Sequence, residues 1–164
     1  MRLTLIPKKS RGFTLSEVMT AIAICGVLSA IAIPNYLKHR QKGLIGKATK
    51  ELKTLQRKIQ DLGHDTGMWP GNTPAGILDE HGSEHYDLSD DDMGLATNDG
   101  SYSDWQGPYY TGPWKDPWGT NYFIDEDYHL PDGREVPVVG SYGPNKCCKN
   151  EYDEDNIIVL LPAD

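Results

Sequence analysis

The chain has 164 residues, enough for one small domain and an appendage and too few for a second independent core. Its net charge of −8 joins two opposed parts. Residues 1–58 hold 12 of the 16 Lys and Arg against Glu17 and Glu51 alone, while residues 59–164 hold the other 22 of the 24 acids. An acidic C-terminal part excludes a nucleic-acid-binding face there, so no nucleic-acid partner is expected. Cys25, Cys147 and Cys148 are too few for a disulfide framework and contain no CxxC metal knuckle.

The N-terminal twelve residues, MRLTLIPKKSRG, are basic through Arg2, Lys8, Lys9 and Arg11. Phe13 to Ile33 follows, 21 residues whose only charge is Glu17. As a helix this run covers roughly 30 Å, enough to cross a hydrocarbon core. The positive-inside rule places the leader in the cytoplasm and the rest of the chain outside. In an ordinary secretory signal a small-residue cleavage site follows the apolar run; here the small-residue break, Gly12, precedes it. Cleavage at Gly12 leaves the apolar helix on the mature chain. A carboxylate within such a helix costs about 2.5–3.5 kcal/mol on insertion scales, so Glu17 either marks a function and has a partner or snorkels to the interface.

Beyond Pro34 the pattern turns amphipathic. Leu44, Ala48, Leu52, Leu55, Ile59 and Leu62 recur at steps of three and four, one apolar stripe on a helix expected to end near Gly63. Lys47, Lys50, Lys53, Arg57 and Lys58 mostly occupy its other faces, a pattern that by default is a solvated surface. Pro34, Gly43 and Gly46 are the expected bends. Residues 63–120 are dense in Gly, Pro, Asp and Ser and read as loops, with residues 76–104 unassigned. Strands are expected at Asn121–Ile124, Glu135–Tyr142 and Asn156–Leu161. The expected fold class is α+β, a long N-terminal helix packed on a small antiparallel sheet.

One catalytic pattern occurs. His81, Glu84 and His85 match H-x-x-E-H, in which two His on one helical face bind zinc and the Glu acts as general base. Its surroundings, DEHGSEHYDLSDDD, read instead as an acidic surface loop, and the chain is expected not to be an enzyme. Phosphate-cradling and nucleophile-elbow motifs are absent from the sequence. For Cys147 and Cys148 the readings are a strained vicinal disulfide, pairing with another chain, or a staple for their loop. Distorted geometry favours thiols or an external partner. Cys25 reads as a small apolar residue.

Arg11-Gly12-Phe13-Thr14-Leu15-Ser16-Glu17 resembles the processing site of type IV prepilins and type II secretion pseudopilins. The resemblance implies cleavage between Gly12 and Phe13 by a prepilin peptidase, N-methylation of Phe13, and pairing of Glu17 with the Phe13 amine of a neighbouring subunit. It divides the chain into a leader (1–12), a membrane and assembly half-helix (13–34), an amphipathic half-helix (35–62) and an acidic head (63–164). Trp105-Gln-Gly-Pro-Tyr-Tyr and Asp116-Pro-Trp-Gly-Thr-Asn-Tyr are similar to a region of major pseudopilins, Trp69-Pro70 to the segment after their helix, and Ser141-Tyr142-Gly143 to the start of their calcium loop. By that resemblance Asn145, Asp153, Glu154 and Asp155 are the candidate calcium ligands, although Asn145 stands where the family has Asp, and Lys146, Lys149 and the two cysteines depart from it. Calcium requires six to eight oxygens, so these changes are expected to weaken the site.

The function implied is a structural subunit of a type II secretion pseudopilus, a periplasmic homopolymer anchored in the inner membrane. Its implied partners are the prepilin peptidase, the inner-membrane assembly platform and minor pseudopilins. A type IV pilus or DNA-uptake pilin shares the same N-terminus, and a membrane-anchored zinc hydrolase at His81, Glu84 and His85 is the alternative of another class.

Overall fold

The structure, a computed structural model, describes residues 12–77, 85–147 and 153–162. The chain separates into two compact units, Met1–Gln41 and Lys42–Asp164. Helix α1 (Leu15–Thr66) is followed by two short strands, β1 (Met68–Trp69) and β2 (Thr73–Pro74). Strands β3 (Phe123–His129), β4 (Glu135–Ser141) and β5 (Ile157–Leu160) then form an antiparallel sheet in the order β3-β4-β5. The fold is α+β, as the sequence patterns predict.

The N-terminus of α1 is closed by a reciprocal cap. Thr14 N–H and Oγ1–H donate to Glu17 Oε2 at 2.8 and 2.6 Å, and Glu17 N–H donates to Thr14 Oγ1 at 3.3 Å. This is the Thr-x-x-Glu capping box, in which two helix-start donors that lack an intrahelical acceptor are satisfied together. The helix ends three residues beyond Gly63. Gly67, at φ +73°, donates its N–H to Gly63 O at 2.8 Å and is the left-handed terminator. A Cβ on Gly63 would stand 3.1 Å from Trp69 Cδ1, so this glycine admits a ring rather than ending the helix.

In the second unit the predicted stripe is the buried face of the helix. Ala48, Leu52, Leu55, Ile59 and Leu62 are fully buried. The last four share one core with Trp69, Leu88, Met93, Leu95, Tyr102, Tyr110, Tyr122, Ile124, Val139 and Leu161. A smaller cluster of Phe123, Tyr128, Val138 and Tyr142 also lies in this unit. Strand β3 runs further than expected, through Asp125-Glu126-Asp127, with a bulge between Asp125 and Tyr128. Three acids in a row carry poor strand propensity, yet Asp125 and Glu126 are buried because the register with β4 and a hydrogen bond from Thr73 Oγ1 to Glu126 Oε1 hold them.

The unassigned stretch is anchored where it is described. Leu88, Met93, Leu95 and Tyr102 lie in the main core. Tyr102 OH donates to Asp92 O at 2.8 Å and accepts Asn72 N–H at 3.1 Å. Trp105 Nε1 donates to Gly94 O at 2.6 Å, and the N–H groups of Tyr109 and Tyr110 both reach Leu95 O. The aromatics of this segment thus pin loops to a thin core.

Candidate functional site

The N-terminal candidates are together. Gly12, Phe13 and Thr14 are exposed ahead of α1, and Glu17 lies in its first turn. Phe13 is 88 % exposed, and Leu15, Met19, Ile22, Val27, Leu28, Ile31 and Ile33 are all more than half exposed. The helix is long and apolar enough to cross a membrane, and its most apolar stretch is not buried at all by the chain itself. Burial of such a surface stabilises by about 25 cal/mol per Å², so a second apolar medium or a second helix has to cover it. The Thr14–Glu17 cap gives Glu17 a local hydrogen-bonding role that the sequence signature Thr-x-x-Glu announces and that the reading of a partner in a neighbouring chain does not include.

In the head, Asp116 organises the Asp-Pro-Trp-Gly-Thr turn. Its carboxylate is 5 % exposed and accepts four hydrogen bonds: Trp118 N–H at 3.0 Å, Thr120 N–H at 2.9 Å, Thr120 Oγ1 at 2.5 Å and Ser141 Oγ at 2.6 Å. The turn closes through Asp116 N–H to Thr120 O at 2.8 Å, with Gly119 at φ +94°, and Lys115 bridges to Asn121. Ser141 carries the connection onward by accepting Gly143 N–H at 3.0 Å. Nearby, the buried Tyr122 donates its OH to Glu51 Oε2 at 2.6 Å and joins the helix to the turn. Burial, reinforced by the Glu51 carboxylate, pushes the Tyr122 phenol far up, so it remains a donor.

The candidate calcium residues divide. Asn145 Nδ2 donates to Asp153 Oδ2 at 2.5 Å, and Asn145 Oδ1 accepts Cys147 N–H at 3.0 Å. Asp153 Oδ1 accepts Asp155 and Asn156 N–H at 3.0 and 3.1 Å. Glu154 and Asp155 are exposed. Among the described residues no group of three or more His, Cys, Asp or Glu is placed to hold a metal ion. This donor set does not fit calcium, since an amide N–H points at the one converging carboxylate and the loop's own N–H groups take its other oxygen. Cys147 is disulfide-bonded, and Cys25 is a free, exposed thiol. The expectation of a thiol or an external partner at Cys147 is therefore corrected. Cys148 and Lys149 lie outside the described residues.

His81 and Glu84 also lie outside the described residues. His85 does not stand on a helix: its N–H and C=O pair with Ile124 O and N–H at 3.1 and 3.0 Å, an extended bridge. The helical face that the zinc motif needs is not formed at His85. Its ring lies over Gly71, where a Cβ would come within 1.9 Å of Nε2. Burial lowers the His85 pKa, partly offset by Asp92 and Asp90. A folded value below the ordinary ~6.5 means that the unfolded chain binds the proton more readily. Stability contributed by neutral His85 is therefore complete above the unfolded value of ~6.5 and is lost as pH falls from there through the lowered folded value. Tryptophan-fluorescence melts from neutral to mildly acidic pH should show a steeper loss for the wild type than for His85→Gln. Equal slopes would remove His85 as the cause.

Residues 7–33 match the prokaryotic N-terminal methylation motif. The chain is 34 % identical over 67 residues to the type IV major pilin protein PilE1 of Neisseria gonorrhoeae, covering 41 % of this chain and 31 % of that one. It is 44 % identical over 55 residues to the type IV major pilin protein PilA of Myxococcus xanthus, covering 34 % of this chain and 25 % of that one. It is 32 % identical over 63 residues to the type II secretion system core protein G of Dickeya chrysanthemi, covering 38 % of this chain and 41 % of that one. The chain thus spans between a quarter and about two fifths of these relatives' lengths. No solved structure matches it. The methylation motif at the head of an uncovered apolar helix and the likeness to type IV pilins and to a type II secretion core protein G support a place for the chain in the type IV pilin-like and pseudopilin family.

Proposed function

We propose that the chain is a structural subunit of a type II secretion pseudopilus. It is inserted in the inner membrane with its leader in the cytoplasm and its head on the periplasmic side. A prepilin peptidase cuts it between Gly12 and Phe13 and methylates the Phe13 amine. The subunit then polymerises through its N-terminal helix, with the assembly platform and minor pseudopilins as partners.

The observation that carries this reading is the apolar helix that begins at Leu15, uncovered by its own chain and directly behind the processing motif. Leaving lipid is tolerable for such a segment only if other helices re-bury it. Both bonds from Thr14 run to Glu17 Oε2, and the second carboxylate oxygen is the one proposed to accept the Phe13 amine of the neighbouring subunit. Support for the pseudopilus comes from the Asp116 turn, which is built from the Asp-Pro-Trp-Gly sequence similar to that of major pseudopilins, and from the likeness to a type II secretion core protein. The likeness to PilE1 and PilA favours a surface pilus as the second reading.

Co-expression with a prepilin peptidase should yield a mature chain beginning at methylated Phe13, read by intact mass. An uncut chain retaining Met1–Gly12 would overturn the filament reading. Glu17→Ala should still be cut but should enter filaments at least tenfold less, the effect of losing about 1.4 kcal/mol or more of register-setting attraction. Restored secretion in a strain lacking its major pseudopilin selects the pseudopilus; restored surface fibres without secretion select the pilus.

A further inference from the structure

We infer that the loop leaving β4 is closed by its own side chains and holds the head without a bound calcium ion. The two described arms of this loop, 142–147 and 153–156, meet through the Asn145–Asp153 hydrogen bond of 2.5 Å. In a calcium-closed loop a cation stands between two anionic or neutral oxygens and cancels their repulsion. Here the carboxamide N–H supplies the positive end of that contact directly, and its oxygen is turned back to cap Cys147 N–H. The opposing carboxylate is committed on both oxygens, to Asn145 on one side and to the Asp155 and Asn156 N–H groups on the other.

Two further features act in the same direction. Lys146, left-handed at φ +59°, places a cationic residue directly after Asn145, which opposes a divalent ion by like charge. At the base of the loop the two arms already touch, because Gly143 lies so close to Asp155 O that a Cβ would sit 2.0 Å from it. The arms therefore approach as closely as backbone permits. This inference does not depend on whether the filament is a pilus or a pseudopilus.

The test uses the full chain in detergent micelles. All four tryptophans, Trp69, Trp105, Trp114 and Trp118, lie in the head, so their fluorescence reports its unfolding and not that of the apolar helix. The wild-type midpoint should agree within about 1 °C between excess chelator and millimolar calcium chloride, because a ligand that does not bind contributes nothing by mass action. A wild-type midpoint lower by about 5 °C or more in chelator would overturn the inference. Asn145→Asp replaces the donor with a second carboxylate facing Asp153. It should melt about 5 °C or more lower in chelator and recover in calcium. Asn145→Ala should melt lower than wild type and ignore calcium. If Asn145→Asp melts like wild type with and without calcium, the Asn145–Asp153 contact does not hold the loop and the inference fails.

Discussion

Replacing Asp116 with alanine is expected to cost the head about 3–5 kcal/mol, near the upper end for one substitution. The carboxylate is 5 % exposed and is the common acceptor for two backbone N–H groups and two hydroxyls. Alanine leaves all four without their acceptor. Thr120 Oγ1 and Ser141 Oγ can turn toward other acceptors, but the N–H groups of Trp118 and Thr120 are fixed by the turn, and each costs about 1–3 kcal/mol if water does not reach it. Asp116→Asn keeps one carbonyl acceptor and sets an amide N–H against two hydroxyl donors. It should fall between wild type and alanine, by about 1–3 kcal/mol. Thermal melts followed by tryptophan fluorescence should show Asp116→Ala lowered by roughly 10–20 °C. A shift within about 2 °C for alanine would mean that water replaces the carboxylate and that the turn does not depend on it.

The importance of Asp116 illustrates which features the sequence discloses. The apolar run and the stripe from Leu44 to Leu62 are periodic, and periodicity survives any tertiary context; Ala48, Leu52, Leu55, Ile59 and Leu62 are buried accordingly. The Thr14-x-x-Glu17 box is local and equally legible, although Glu17 viewed as a membrane carboxylate in need of a distant partner conceals its nearest one. Asp116 belongs to a visible turn sequence, but its fourth donor, Ser141, is 25 residues away and can only be found in the fold. The middle of β3 was illegible for a related reason. The expected strand stops at Ile124, ahead of acids with poor strand propensity, while pairing of Asp125 with β4 and the Thr73 bond to Glu126 accompany their burial. Residues 85–102 looked like solvated loop because their anchors, Leu88, Met93, Leu95 and Tyr102, are single residues without a period. The candidate calcium ligands rest on motif position alone, and motif position does not reveal that Asn145 points a donor at Asp153.

Gly143→Ala is the second substitution expected to be severe. Gly143 is buried at φ +69°, where an L side chain costs about 1–2 kcal/mol from backbone strain alone. The added Cβ would also meet Asp155 O at 2.0 Å, and that obstacle is backbone on the opposing arm of the loop. Gly140→Ala offers a comparison. Its Cβ would meet Phe123 Cζ at 2.4 Å, but the obstacle is a ring that can tilt away from its partner Tyr142. Overpacking of that kind costs about 1–3 kcal/mol. Gly143→Ala adds such a clash to the backbone strain and should cost about 2–5 kcal/mol. Its coupling to Asp116 is the more discriminating measurement. Ser141 Oγ donates to Asp116 Oδ2 while accepting Gly143 N–H, so one hydroxyl joins the turn, the end of β4 and the loop. Once Asp116 is removed, Ser141 is released and Gly143 has already lost part of its anchorage. The double variant Asp116→Ala with Gly143→Ala should then lose less than the two single losses together, by about 0.5–3 kcal/mol. Strict additivity would mean that the turn and the loop are separate structures, each stabilised on its own and not joined through Ser141.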